Sequence, residues 1–166
     1  MLTIRCTQRV INRFTVHIVR EAPASTGRLG DWYANLFRVG PVPFVLCQSA
    51  RSLLPIVLPA RNDVFPSQFG LALGTVLRGL SIREHLIEEE LESIKNVTYA
   101  RTASRQILGA LNDFIYHAKY YLIEEAENPF PGLRVCLKLA RMPSKPIGYE
   151  APGRLTVSLF ETGKPS

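Results

Sequence analysis

Up to about position 60 most apolar residues of this chain, Val10, Ile11 and Phe14 apart, come at period two or in short unbroken runs, and beyond it most, residues 96–100 apart, recur every three or four positions. Leu2, Ile4 and Cys6 alternate with Thr3 and Arg5, which predicts a short first strand. Thr7 stands where a helix cap belongs, ahead of Val10, Ile11 and Phe14, with Arg9 and Arg13 one turn apart on the outer side. Residues 15–20 are β-branched and fit no single element. Residues 21–29, with Pro23, Ser25, Thr26 and Gly27, predict a loop.

The stretch around Trp32 organises the first half. Residues 30–39 and 44–48 are β-rich and are joined by Gly40, Pro41, Val42 and Pro43, which predicts an antiparallel hairpin with a four-residue loop. Trp32, Ala34 and Leu36 share one side of the first strand, and Tyr33, Phe37 and Val39 the other. Apolar on both sides, it predicts an interior strand covered twice. Residues 53–58 follow as a third strand, and Pro55, which cannot donate to a ladder, sends it to a sheet edge or a bulge.

The helical period then takes over. Residues 66–80 place Phe69, Leu73, Val76, Leu77 and Leu80 on one side, and Gly70 with Gly74 would let another element come close. Ser81 and Glu84 have capping-box spacing for a second helix running to about 94, whose acids Glu88, Glu89, Glu90 and Glu92 form a solvated face. Residues 96–100 predict a fourth strand. In the strongest helix, 103–123, Ile107, Leu108, Leu111, Phe114, Ile115, Ala118 and Leu122 fall within an arc of about 120°. After the breaker at 128–131, short helices are predicted over 133–139 and 152–160, separated by an irregular segment.

The composition fits one domain over 1–166: 166 residues, 46% hydrophobic, with no apolar run near the roughly 18 residues needed to span a bilayer. The amino-terminal residues lack a signal-peptide pattern. Cys6, Cys47 and Cys136 are odd in number and widely spaced, without Cys/His ligand spacing. The expectation is reduced thiols in a cytoplasmic protein, with no structural metal and no cofactor. Charge changes the picture more. Of the net +6, residues 1–64 hold eight arginines against three acids, whereas 65–128 hold six bases against nine acids. An Arg-rich end attracts phosphate backbones or an acidic partner.

No phosphate loop, dinucleotide fingerprint, nucleophile elbow or metalloprotease motif occurs, and His17, His85 and His117 are isolated from one another. Two polar groupings remain. Asp31 either caps the turn before its strand or faces a ligand. Asn35, a poor strand residue in apolar surroundings, either braces a neighbouring loop or faces a ligand. On the polar side of the long helix, Arg105, Gln106, Gly109, Asn112, Asp113, Tyr116 and His117 lie together. Gly109, Asn112 and Asp113 are weak helix formers, which suggests that something approaches the backbone there. Asp113 and His117 have the spacing of a carboxylate orienting an imidazole.

The pieces Arg5-Cys6-Thr7-Gln8, Gly30-Asp31-Trp32-Tyr33-Ala34-Asn35-Leu36, Leu54-Pro55 with Pro59, Leu108-Gly109 with Asn112-Asp113-Phe114, and Pro146-Ile147-Gly148-Tyr149 resemble the signposts of an uncharacterised bacterial family. It is a domain of unknown function found alone or attached to plasmid-type open reading frames. The resemblance covers nearly the whole chain and implies a bacterial, intracellular α+β domain, with no catalytic residues to carry over. Gln106 and Ala110 depart from it, standing where similar sequences tend to show small hydroxyl residues.

The expected fold is α+β: a small, mainly antiparallel sheet of three to five strands packed with about five helices. The expected function is non-enzymatic binding of nucleic acid or an acidic protein through an Arg-rich surface, with Arg5, Arg9, Arg13, Arg28, Trp32, Asn35, Arg38, Arg105 and Asn112 as contacts. A second expectation is an enzyme acting on a small phosphorylated or nucleotide-like molecule. Asp31, Asn35, Asn112 and Asp113 would then form one cleft, with Asp113, His117 or Asp31 as catalytic groups. A third is an interaction module, either a homodimer or one member of a toxin–antitoxin-like pair. No membrane partner is expected.

Overall fold

A computed structural model describes residues 1–127 and 132–162. Five strands form one sheet in the order β4-β3-β2-β1-β5. They are β1 (Leu2–Cys6), β2 (Trp32–Val39), β3 (Val42–Ser49), β4 (Pro55–Pro59) and β5 (Val97–Arg101). The longer ladder, β2 with β3, and that of β3 with β4 are antiparallel. Strand β1 sits between β2 and β5 and runs parallel to both. The fold is α+β, as expected, with six α-helices among the described residues: α1 (Gln8–Phe14), α2 (Phe69–Gly79), α3 (Glu84–Ser93), α4 (Arg105–Glu124), α5 (Gly132–Leu139) and α6 (Pro152–Glu161). The predicted breaker at 128–131 lies outside the described residues.

Strand β2 is the interior strand its two apolar sides predict. Trp32 is fully buried and meets Phe69 of α2 edge-on, with ring centroids 4.9 Å apart, a pairing worth about 0.5–1.5 kcal/mol beyond its area. On the opposite face the Tyr33 hydroxyl accepts the Ser104 N–H at 3.1 Å. The Ser104 side chain itself caps α4 by accepting the Ile107 N–H at 3.2 Å. The sheet is therefore sandwiched between α2 and α4 at β2.

The hairpin loop is two residues, not four. Val42 pairs with Val39, leaving Gly40 and Pro41 between the strands. Gly40 has φ +58° and proline fixes the next φ negative, the sign pattern of a tight primed turn, so Val42 and Pro43 are free to join the ladder.

Strand β4 is an edge strand, as Pro55 predicts, and its outer side is closed chemically. Ala60 donates inward to Pro43 O, so by alternation residues 55, 57 and 59 point their backbone nitrogens outward. Pro55 and Pro59 have no N–H, and the Val57 N–H donates to Cys136 Sγ of α5 at 3.2 Å. No donor on that strand's outer side is left to recruit another chain.

Local expectations fail where tertiary partners compete. Thr7 occupies the N-cap position of α1, but its hydroxyl makes no cap bond because it donates to Asn35. The predicted 66–80 helix is regular only from Phe69, the start of α2, and is preceded by an irregular turn over Val64–Gln68 in which Phe65 is extended (φ −117°, ψ 134°). The Ser81–Glu84 capping box does not form. Ser81 has φ +63°, its N–H reaches Arg78 O and the Ile82 N–H reaches Leu77 O, a Schellman ending to α2. Glu84 instead pairs with Arg78 at 2.7 Å, and α3 starts at Glu84. Gly70 and Gly74 do admit a neighbour: Cβ atoms there would stand 3.4 Å from Ile94 and 3.3 Å from Leu91, at the α3 side.

The acidic face of α3 is not wholly solvated. Glu88, Glu89 and Glu92 are exposed, but Glu90 is buried. It lies on the stripe of Ile87 and Ile94, and its carboxylate accepts the backbone N–H groups of Arg28 at 2.9 Å and Leu29 at 3.3 Å. Burial pushes its pKa above the ordinary value, against the two amides and the charges of Arg28 and Arg51. Among the described residues no helix is long and apolar enough to cross a membrane.

Candidate basic cleft

Asn35 faces the α4 side of the sheet, two residues along from Tyr33. Its Oδ1 accepts the Thr7 hydroxyl at 2.8 Å and the Leu36 N–H at 2.8 Å, and its Nδ2 donates to Asn112 Oδ1 at 3.1 Å. A polar residue in this strand thus ties together the end of β1, its own strand and the middle of α4. Bracing, one of the two roles expected of it, is realised.

That junction forms the floor of a cleft of about 520 Å³ between α1, β2 and α4. Arg9 of α1, Arg38 of β2 and Lys119 of α4 surround it, all exposed, and Tyr116 is 75% exposed at its rim. No acidic residue is among the described residues that line it. The Arg38 guanidinium is steadied by donating to Pro41 O at 3.0 Å across the hairpin turn. Three cations within one concavity, with amide groups at its base, give a positive potential that a low-dielectric wall strengthens. Lys119 and Tyr116 were missed by sequence reasoning as site residues. The signal existed: Asn112, Tyr116 and Lys119 are spaced i, i+4 and i+7 on one helix face.

The remaining predicted residues separate. Asp31 does not join the cleft. It accepts Arg5 Nε at 3.0 Å, the Ser25 hydroxyl at 2.7 Å and the Ser25 N–H at 3.2 Å, pinning the 21–29 loop to β1. Arg5 also donates to Arg101 O at 3.1 Å. Arg28 pairs with Glu89 at 3.0 Å and lies over the Phe160 ring at 5.5 Å, so it is folded into the α3–α6 junction. Arg13, although exposed, donates to Ala60 O at 2.9 Å. Trp32 has no exposed surface and cannot touch a ligand.

Asp113 lies in a different cavity. With His117, Arg105, Gln106 and Gly109 it faces residues 142–146 across about 460 Å³. The four-residue cleft of Asp31, Asn35, Asn112 and Asp113 is therefore not assembled; only Asn35 and Asn112 meet. Gly109 is not crowded either: a Cβ added there would have nothing within 4 Å. Its backbone borders a space instead of a close neighbour, and Lys145, far along the chain, enters that space from the other wall.

His17 is exposed in the loop after α1, and His85 is exposed in the first turn of α3. Among the described residues no three His, Cys, Asp or Glu side chains form a metal-holding group. The three cysteines are free and buried. Burial raises the Cys6 thiol to about 12 and the Cys136 thiol to about 11, and pushes Cys47 well up.

Residues 3–155 match the family model described as Domain of unknown function (DUF6933), and the chain belongs to that family. No curated protein and no solved structure matches the chain.

Proposed function

We propose that this member of the DUF6933 family is a binding protein that takes the phosphate backbone of a nucleic acid into the cleft between α1, β2 and α4. The observation that carries the reading is the clustering of Arg9, Arg38 and Lys119 around the Asn35–Asn112 pair, with no acid among the described lining residues. Guanidinium and ammonium groups recognise phosphate oxygens, and the exposed Asn112 and the ordered amides at the base supply neutral hydrogen bonds. Nothing in this reading requires a reaction step. Arg105, about two turns before Asn112 on α4, faces the other cavity and is not part of the contact set.

The test is fluorescence anisotropy with a short labelled oligonucleotide over a salt series. Affinity should fall steeply with ionic strength, and Arg9→Ala and Lys119→Ala should each flatten the log–log slope by about one. Absence of binding at low ionic strength, with the fold intact by circular dichroism, sinks the proposal.

A second reading attaches to the Gly109 cavity. Arg105 and Lys145 lie there with Asp113 and His117, a set able to hold a small phosphorylated molecule and to move a proton. Calorimetric titration with nucleoside monophosphates and inorganic phosphate checks it. Heats that vanish in the Arg105→Ala variant support it, and no heat from wild type removes it.

A further inference from the structure

From the rim of the cleft onward, α4 carries side chains that a solvated helix has no reason to carry. Tyr116, Tyr120 and Ile123, at i, i+4 and i+7, are 75%, 60% and 63% exposed and follow one another along one face. Each tyrosine is buttressed edge-on by the next residue: Tyr116 by His117 at 5.4 Å and Tyr120 by Tyr121 at 5.9 Å between centroids. Lys119 stands between the two tyrosines in sequence and belongs to the basic cleft. Aromatic platforms, held by a neighbouring ring and flanked by cations, combine stacking surface with phosphate recognition.

Resting on the reading of the cleft given above, we infer that the ligand is single-stranded. Its phosphates pass Arg38, Arg9 and Lys119, and successive bases lie on Tyr116 and Tyr120. Spacing carries the choice of strand. Four helical residues separate the two tyrosines by about 6 Å along the axis, against the roughly 3.4 Å between stacked bases in a duplex strand. Bases that each meet a ring must therefore be unstacked from one another, which a single strand permits and a duplex does not. Every base has a flat face, so the contact is sequence-tolerant.

Charge argues against a second copy of this chain on the same face. A two-fold interface centred there would bring Arg9, Arg38 and Lys119 of one copy toward those of the other, and like charges in a desolvated contact are costly. The tract ends at Glu124, whose carboxylate accepts the Tyr120 hydroxyl and lies 3.5 Å from Lys138 Nζ; the bond holds the Tyr120 ring by its edge and leaves its face for a base, and the strand's path runs from the hairpin to about Tyr120.

The experiment compares labelled single-stranded RNA, single-stranded DNA and duplex DNA of one mixed sequence, by anisotropy at one salt concentration. The single strands are expected to bind at least about tenfold more tightly than the duplex, and Tyr116→Ala and Tyr120→Ala each to weaken single-strand binding about tenfold with the salt slope unchanged. Tyr116→Phe should keep wild-type affinity, since the ring does the stacking. Both positions are exposed, and circular dichroism checks that the variants fold. Equal or tighter duplex binding, or tyrosine variants that bind like wild type while Arg9→Ala does not, overturns the single-strand inference and leaves the basic cleft standing. No binding by any oligonucleotide overturns both, as does binding only to an acidic polypeptide such as polyglutamate. Self-association that is lost in Tyr120→Ala, without oligonucleotide binding, overturns them in favour of a dimer.

Discussion

Asn35 and Asn112, 77 positions apart, share one hydrogen bond of 3.1 Å that fastens the central strand of the sheet to the middle of the longest helix. Asn35 also accepts from Thr7 and from Leu36, so its amide oxygen serves two donors. Replacing Asn35 by Ala leaves those donors unpaired beside the core and should cost about 1–3 kcal/mol. Asn112→Ala, at an exposed position, should cost about 0.5–1.5 kcal/mol, since water replaces the lost partner. Urea titration of both single variants and the double variant reads the two costs and their coupling. A destabilisation by Asn112→Ala equal to that of Asn35→Ala would contradict the division of roles.

Glu90 makes stability depend on pH in a direction opposite to that of a surface ion pair. Its folded pKa is raised above the ordinary 4.5, mainly by burial, so the folded chain keeps this proton to higher pH than the unfolded chain does. The group's contribution is fully present below about the unfolded value and is lost as pH rises through the folded one. Wild type should therefore gain stability on Glu90→Gln as pH falls from neutrality toward 4.5. Urea titrations of both at two pH values give that difference, and a pH-independent difference would refute it.

Gly27 is required by the same carboxylate. A Cβ there would fall on Glu90 Oε1 and 2.8 Å from Ser93 Oγ, so Gly27→Ala must push the carboxylate away from the Arg28 and Leu29 amides. We expect a loss of about 1–3 kcal/mol from unpairing these buried groups. Gly109→Ala is the contrast. With open space where the methyl would go, it should raise stability by about 0.5–1 kcal/mol, the helix-propensity gain alone. Thermal melts of the two variants should move in opposite directions.

The buried thiols should be silent in the folded chain. At pH 8 a thiol reagent should label none of Cys6, Cys47 and Cys136 in native protein and all three in urea. Their folded pKa values, about 12 for Cys6 and about 11 for Cys136, exceed the unfolded value of about 8.5. Stability should hold below the unfolded value and fall as pH climbs through the folded ones, because only the unfolded chain releases the protons first. Rapid labelling of native protein at pH 8 would refute the burial of the group labelled.

Much of the architecture was legible from periodicity. The interior position of the Trp32 strand, the edge position of the Pro55 strand, the change to helices after residue 60 and the apolar arc of α4 all follow from spacing and from which residues lack an N–H. These are short-range properties: a side chain's face and a proline's missing donor are set by its own few neighbours along the chain. The signals that failed were those with a distant competitor. Thr7 abandons its cap for Asn35, Ser81 ends one helix instead of starting the next, and Glu90 trades water for two backbone amides more than sixty residues upstream.

The site was legible only by half. Arg9, Asn35, Arg38 and Asn112 were recognisable as unusual or basic positions, but nothing local said that they meet, or that Asp31, Arg5 and Arg28 are held in other contacts. Which polar groups converge depends on the crossing of α4 over β2, and that is decided by packing between elements far apart in sequence. Pattern along a chain dictates which face each residue takes within its element; only the assembled sheet and helices decide what that face meets.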